Sequence, residues 1–190
     1  MLVLASASPR RRELLTQAEF SFEVQPADID EALLPGEDSI AYVTRLAREK
    51  AEAVYALRAD SDAVVLGADT TVCVDRQILG KPDSPDDAAR MLRLLAGRTH
   101  RVITGVALVS SAQTQVAAEV TAVQFLSLSE AEITEYIATG EPMDKAGAYA
   151  IQGYAARWSP RIEGDYFNVV GLPIALVSTL LSSLPGASAR

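Results

Sequence analysis

Ala63-Val64-Val65-Leu66-Gly67-Ala68-Asp69-Thr70-Thr71-Val72-Cys73-Val74 is the stretch on which the fold turns. Its first five residues are continuously apolar over the length of a strand, the pattern of a strand buried on both faces. Thr71 to Val74 extends it, and Arg76 to Gly80 reads as a turn and return. Gly67-Ala68-Asp69-Thr70 reads as the end of the apolar strand. Ligands in α/β sheets collect beyond the carboxyl ends of strands, so an acidic residue there is placed to bind a metal or activate water. An Asp that merely turns the chain fits this one position equally well.

On the N-terminal side, Leu2 to Ala5 reads as a short buried strand. Ser8 caps a helix with Pro9 at its first position, running from Arg10 to Ala18, and Phe20 to Val24 alternates like a strand. An acidic connection with Asp28, Asp30 and Glu31 ends at Pro35-Gly36. A helix follows from about Ile40 to Leu57, with Ile40, Val43, Leu46, Ala47, Ala51 and Val54 on one stripe. On the C-terminal side, Ser84 caps a helix to Leu95 with Asp86 and Asp87 in its first turn. Arg101 to Ser110 and Gln115 to Phe125 form an expected antiparallel hairpin. Ser129 and Glu132 make a capping box for a helix to about Ala138. A Gly-rich region from Lys145 to Gly153, a loop through Gly164-Asp165 and a helix near Pro173 complete the chain. This order predicts an α/β protein with a partly mixed sheet flanked by helices. No repeat, low-complexity tract or linker divides it.

The 190 residues suffice for one large domain or two small lobes sharing a cleft. The net charge of −8 argues against polymeric nucleic acid as a partner, but leaves room for a small polyphosphate held at one basic point. A single cysteine, Cys73, rules out an intramolecular disulfide and suits a reducing compartment. With only His100 beside it, no Cys/His zinc cluster is possible; both residues read as structural. The opening residues do not read as a signal peptide, and Leu172 to Leu184 is too short for a membrane span and is broken by serines. The chain is therefore expected to be cytoplasmic and to need no membrane.

Four segments carry chemistry. Ser6-Ala7-Ser8-Pro9-Arg10-Arg11-Arg12 precedes and opens a helix, where backbone N–H groups, hydroxyls and guanidinium forks suit a phosphate. On its own a capped helix with a solvated basic turn reads equally well. Gly67-Ala68-Asp69-Thr70 is the second. Glu31, Lys50 and Lys81 are scattered charges, each alone a plausible surface residue. Lys81 stands out because Gly80 and Pro82 fix the backbone that presents it. In Asp144-Lys145-Ala146-Gly147-Ala148-Tyr149-Ala150-Ile151-Gln152-Gly153, small residues permit close approach and the Gln152 amide offers donor and acceptor side by side. That amide matches O4 and N3 of uracil or thymine, and by rotating it also meets cytosine. No Walker A loop and no GxSxG elbow is present.

In order along nearly the whole chain, these segments resemble the Maf family, also called septum formation inhibitor proteins. The matching pieces include Leu4-Ala5-Ser6-Ala7-Ser8-Pro9-Arg10-Arg11, Arg45-Leu46-Ala47-Arg48-Glu49-Lys50-Ala51, Gly67-Ala68-Asp69-Thr70, Gly80-Lys81-Pro82, Thr99 to Val106, Asp144 to Gly153 and Gly164 to Pro173. The resemblance implies a single domain over 1–190, elongated like inosine triphosphate pyrophosphatases, with two lobes around a central cleft. It implies hydrolysis of a nucleoside triphosphate to monophosphate and pyrophosphate, aided by Mg²⁺ or Mn²⁺. Carried over by position, Asp69 would be the catalytic acidic residue, supported by Glu31, Lys50 and Lys81, with Asp69 and Glu31 on the metal. Ser6, Arg10 and Arg11 would hold phosphates. Arg10, Thr70 and Gln152 match the branch acting on dTTP and UTP. The alternatives are the sister activity on 7-methyl-GTP and a nucleotide-binding regulator of septum formation with little catalysis. A homodimer would suit the family. The tail, about 185–190, matches nothing distinctive and is expected to be disordered.

Overall fold

The computed structural model describes residues 1–58 and 62–184; the tail from 185 lies outside them. In chain order the elements are β1 (Leu2–Leu4), α1 (Pro9–Gln17), β2 (Phe22–Val24), α2 (Ser39–Ala56), β3 (Val64–Val74), β4 (Gln77–Leu79) and α3 (Pro85–Leu95). Then come β5 (Thr99–Val109), β6 (Thr114–Gln124) and α4 (Glu130–Ala138). Three 3₁₀ turns follow (Glu141–Asp144, Ala146–Ala148, Tyr154–Trp158), then β7 (Arg161–Glu163), α5 (Tyr166–Val170) and α6 (Ile174–Ser182). One mixed sheet takes the order β2-β1-β3-β5-β6-β7, with β4 on the far end of β3. β1 is parallel to β2 and β3, and the remaining pairings are antiparallel. The expected hairpin is present, β5 and β6 pairing from Thr99 opposite Gln124 to Val109 opposite Thr114.

The capped helices start where their sequences say. The Ser84 hydroxyl accepts from the Asp87 N–H, and Ser129 and Glu132 form both halves of a capping box. Each such cap contributes about 1 kcal/mol. Local signals did less well at α1. Ser8 makes no side-chain cap; its N–H instead donates to Ser6 Oγ. The next strand begins at Phe22 rather than Phe20, because the Phe20 N–H is spent closing α1 on the Leu15 carbonyl.

The expected extension of β3 through Thr71 to Val74 is present, but it is unbroken: the strand runs for eleven residues, Val64–Val74, so Asp69 does not end it, and it pairs with β5 over most of that length. Its other neighbour, β1, covers only Val64 to Leu66, and β4 joins only at Val72. Asp69 therefore lies mid-strand, but just past the carboxyl end of the parallel segment. One edge of the strand is left without a ladder partner there, and that gap opens onto the cleft.

Alternation along β3 and β5 separates the two faces. Val65, Ala107 and Val109 pack on Ala47, Ala51 and Val54, and Cys73 and Ile103 on Val43, so α2 covers one face lengthwise. The opposite face carries two cores. Leu66, Ala68, Val106 and Leu108 pack on Leu14, Leu15 and Val177. Val72, Val74 and Val102 pack on α3 and α4 residues such as Leu92, Leu95 and Tyr136. Burying Val43, Leu46 and Val54 stabilises by about 1.5–3 kcal/mol each relative to exposure, whereas Ile40, expected on that stripe, is exposed.

Two glycines set how α2 sits. A Cβ at Gly67 would stand 2.0 Å from the Ala47 carbonyl oxygen, and one at Gly105 would stand 2.2 Å from that of Val43. Only hydrogen at both positions lets the helix backbone rest directly on the strands.

Candidate active site

That close seating carries Lys50 to Asp69. Lys50 belongs to the buried stripe of α2, and its Nζ lies 2.7 Å from Asp69 Oδ1 and 2.7 Å from Glu31 Oε1. Read alone as a surface charge, Lys50 is in fact 8 % exposed, and Asp69 is 7 % exposed. Burial pushes the Asp69 carboxyl above the usual carboxylate range, against the opposing pull of Lys50 and Arg11. Glu31 reaches the site from the acidic connection, which α2 fastens in place. The Tyr42 hydroxyl donates to the Glu31 carbonyl, and Arg45 grips Glu37 and the Ala32 carbonyl.

The three arginines of α1 do not act together, because successive helical residues point about 100° apart. Arg12 is exposed and outside the cleft lining, while Arg10 lines the cleft and pairs with Asp144 at 3.3 Å. Arg11 points inward on the face of Leu14 and Leu15. It donates to the Gly171 and Ala68 carbonyls, to Ser6 Oγ at 3.1 Å and to Thr70 Oγ1 at 3.0 Å. Desolvation lowers its pKa, with Asp69 opposing. Thr70 also meets Thr104 Oγ1 at 2.9 Å. Ser6, Arg11 and Thr70 thus form one hydrogen-bonded floor beneath the cleft.

The facing wall is built from β4 and the 3₁₀ turns. Lys81 follows β4 one residue on, after Gly80, exposed and with no ion pair among the described residues. Gly80 accepts from the Gly147 N–H, which ties the two segments together. Gly147 has φ +68, and a Cβ there would lie 2.7 Å from Val72 Cγ2, so the motif needs its glycine twice over. Asp144 and Lys145 form an ion pair, and Lys145 Nζ also donates to the Glu141 carbonyl. Gln152 is exposed at the rim. Its loop is held by Glu141, whose carboxylate accepts from the Tyr136 hydroxyl at 2.7 Å and the Tyr154 N–H at 3.2 Å. Behind this wall His100 Nε2 meets the Tyr149 hydroxyl at 2.7 Å, and burial pushes the imidazole down to about 4, so it stays neutral.

All nine residues singled out from the sequence, Ser6, Arg10, Arg11, Glu31, Lys50, Asp69, Thr70, Lys81 and Gln152, line one cleft of about 430 Å³. That volume suits a small molecule. Sequence reasoning passed over Tyr42, Asp144 and Lys145, which line it too. Asp144 and Lys145 stood inside a quoted motif, and their adjacent opposite charges were the available signal. Asp69 and Glu31 both meet the Lys50 ammonium, and no group of three His, Cys, Asp or Glu that could hold a metal stands among the described residues. Their hard carboxylate oxygens are of the type a Mg²⁺-like ion takes. No helix among the described residues is long and apolar enough to cross a membrane.

The family model for Maf-like protein matches residues 1–184. A dTTP/UTP pyrophosphatase of Koribacter versatilis is 54% identical over 180 residues, covering 95% of this chain and 92% of that protein. One of Moorella thermoacetica is 54% identical over 183 residues, covering 95% and 93%, and one of Pseudoalteromonas atlantica is 47% identical over 186, covering 97% of each. Among solved structures, the Staphylococcus aureus Ham1 protein superimposes with a TM-score of 0.52 at 14% identity, over 95% of this chain and 97% of that one. This last likeness is one of fold.

Proposed function

The chain belongs to the Maf-like protein family, and from that premise we propose that it hydrolyses nucleoside triphosphates, dTTP and UTP foremost, to the monophosphate and pyrophosphate. The observation that carries the reading is Asp69, a buried carboxylate fixed on Lys50 in a cleft that cations enter from two sides. The substrate lies in that cleft, between two lobes of a single domain, in a cytoplasmic protein.

Asp69 accepts a proton from a water whose oxygen attacks the α-phosphorus. The bond from that phosphorus to the bridging oxygen breaks, and pyrophosphate leaves. Its raised pKa makes Asp69 a stronger base than an exposed aspartate. Lys50 orients it and keeps it ionised, and Glu31 meets the same ammonium. A Mg²⁺ or Mn²⁺ ion, when bound, supplies charge neutralisation on the phosphoryl oxygens, and Asp69 and Glu31 are the residues that would hold it. Arg10 and Lys81 approach the phosphates from opposite walls and stabilise charge that grows on them. Ser6 offers its hydroxyl from the floor, and Arg11 acts through Ser6 and Thr70, which it orients. Gln152 reads the pyrimidine edge, presenting donor and acceptor to O4 and N3.

Pyrophosphate release from dTTP, UTP, CTP, GTP and 7-methyl-GTP, with Mg²⁺, with Mn²⁺ and with chelator, tests the reading. Metal-dependent turnover of dTTP and UTP well above the purines is expected. A preference for 7-methyl-GTP would remove the role given to Gln152, and no turnover at all would leave a nucleotide-binding regulator.

A further inference from the structure

Asp144 is a third carboxylate in the cleft, and it stands apart from the pair on Lys50. It ends a four-residue 3₁₀ turn, its side chain is 63% exposed, and it holds two cations. Arg10 comes from the first turn of α1, beside the core of Leu14 and Leu15. Lys145 is its neighbour in sequence, with a side chain 14% exposed and seated beside the other core. Lys145 and Arg10 hold Asp144 below the ordinary carboxylate range although burial opposes them, so it is an anion at neutral pH. The contact bridges elements 134 positions apart across the cleft.

A triphosphate entering the cleft needs the donors that Asp144 occupies. Lys145 has three N–H donors; one goes to the Glu141 carbonyl and one to Asp144. The Arg10 fork is likewise directed at Asp144, through its carboxylate and, at 3.5 Å, its carbonyl. We propose that Lys145 is a further phosphate-binding residue, and that Asp144 is a stand-in anion that keeps Lys145 and Arg10 aimed across the cleft and competes with phosphate for them. The competition has a use: it opposes retention of the pyrophosphate product. This rests on the hydrolase reading above.

The two adjacent residues must then act in opposite directions. Asp144→Asn removes the competitor and keeps the shape, so inorganic pyrophosphate should bind about three- to tenfold tighter. Inhibition of dTTP turnover by pyrophosphate should strengthen in step. Lys145→Met removes a charge-assisted donor, so binding should weaken roughly tenfold or more, and Lys145→Arg should restore most of it. Calorimetric titration of the full chain with pyrophosphate in Mg²⁺ buffer measures all of these, with melting temperature recorded for each variant. If the pair merely braces the turn, both substitutions lower stability and weaken binding together, and that common sign would overturn the proposal. Unchanged affinity in both variants would do the same. Should the wild type cleave no triphosphate, the hydrolase reading falls; should it cleave dTTP while the two substitutions fail to move apart, only the present proposal does.

Discussion

Asp69 and Asp144 share one cleft and each holds basic side chains, yet they are built from different material. Asp69 stands in the middle of an eleven-residue strand, and its partner Lys50 comes from the buried stripe of an eighteen-residue helix seated on that strand. Asp144 ends a short turn, largely in water, with one partner on a helix end and one beside it in sequence. Removing one member of a buried pair costs about 3–5 kcal/mol, whereas an exposed pair is worth about 0.2–1 kcal/mol. The first arrangement can fix an atom for chemistry. The second can let go of its cations when a stronger anion arrives.

Asp69→Asn should break the comparison most severely. It removes the proposed base, and turnover should fall about 10²- to 10⁴-fold. The same variant tests the electrostatics. The folded pKa of Asp69 is raised, so the folded state holds its proton more tightly than the unfolded chain does. Stability is then lost as pH rises from the ordinary aspartate value through the raised one. Asparagine has no such titration, so the gap in melting temperature between wild type and Asp69→Asn should narrow as pH rises through that range. A gap that stays constant with pH would contradict this.

Gly67→Ala attacks the seating of α2. The added methyl meets the Ala47 carbonyl, and overpacking of this kind costs about 1–3 kcal/mol or more. Because Lys50 rides on the displaced helix, turnover measured well below the melting point should fall too. Denaturant midpoints and kcat on one preparation check both halves. Lys50→Met has a subtler outcome. Asp69 must be ionised to act, so kcat/KM falls as pH falls through its raised pKa. Without the ammonium, the largest pull that opposes burial is gone, and the acid limb should move to higher pH. A limb that stays put would assign it to another group. The smallest effect is expected from Asp144→Asn on stability, no more than about 1 kcal/mol by denaturant titration, which would mark the exposed pair as dispensable to the fold.

How much of this was legible in the sequence depended on range. The Ser84 cap and the Ser129–Glu132 box were readable because each is a hydrogen bond within three residues. The long hairpin was readable because its strands are neighbours in the chain. The extension of β3 to Val74 is legible in Thr71 to Val74, but that Asp69 lies inside the strand and not at its end is not, since Asp-Thr-Thr looks like punctuation when the β5 partner is unseen. Arg11 could have been separated from Arg10, because Arg11, Leu14 and Leu15 fall at the i, i+3, i+4 spacing of one helix face. The burial of Lys50 was not readable locally: it follows from an approach between Gly67 and a helix about twenty positions earlier in the chain. The meeting of Arg10 with Asp144 spans still more of the sequence.

The two bare glycines under α2 also say something about how this molecule can change over time. Most helices stand on a cushion of side chains, and their height drifts when those side chains are exchanged. Here the height is set where the main chain of α2 touches the main chain of the sheet at Gly67 and Gly105, a reference surface no rotamer can alter. Substitutions among Val3, Val65, Val54 and their neighbours can therefore accumulate as losses or gains of stability while the 2.7 Å between Lys50 and Asp69 stays where it was. Robustness of the fold and accuracy of the chemistry are set by different atoms, and the second depends on two positions that have no side chain to lose.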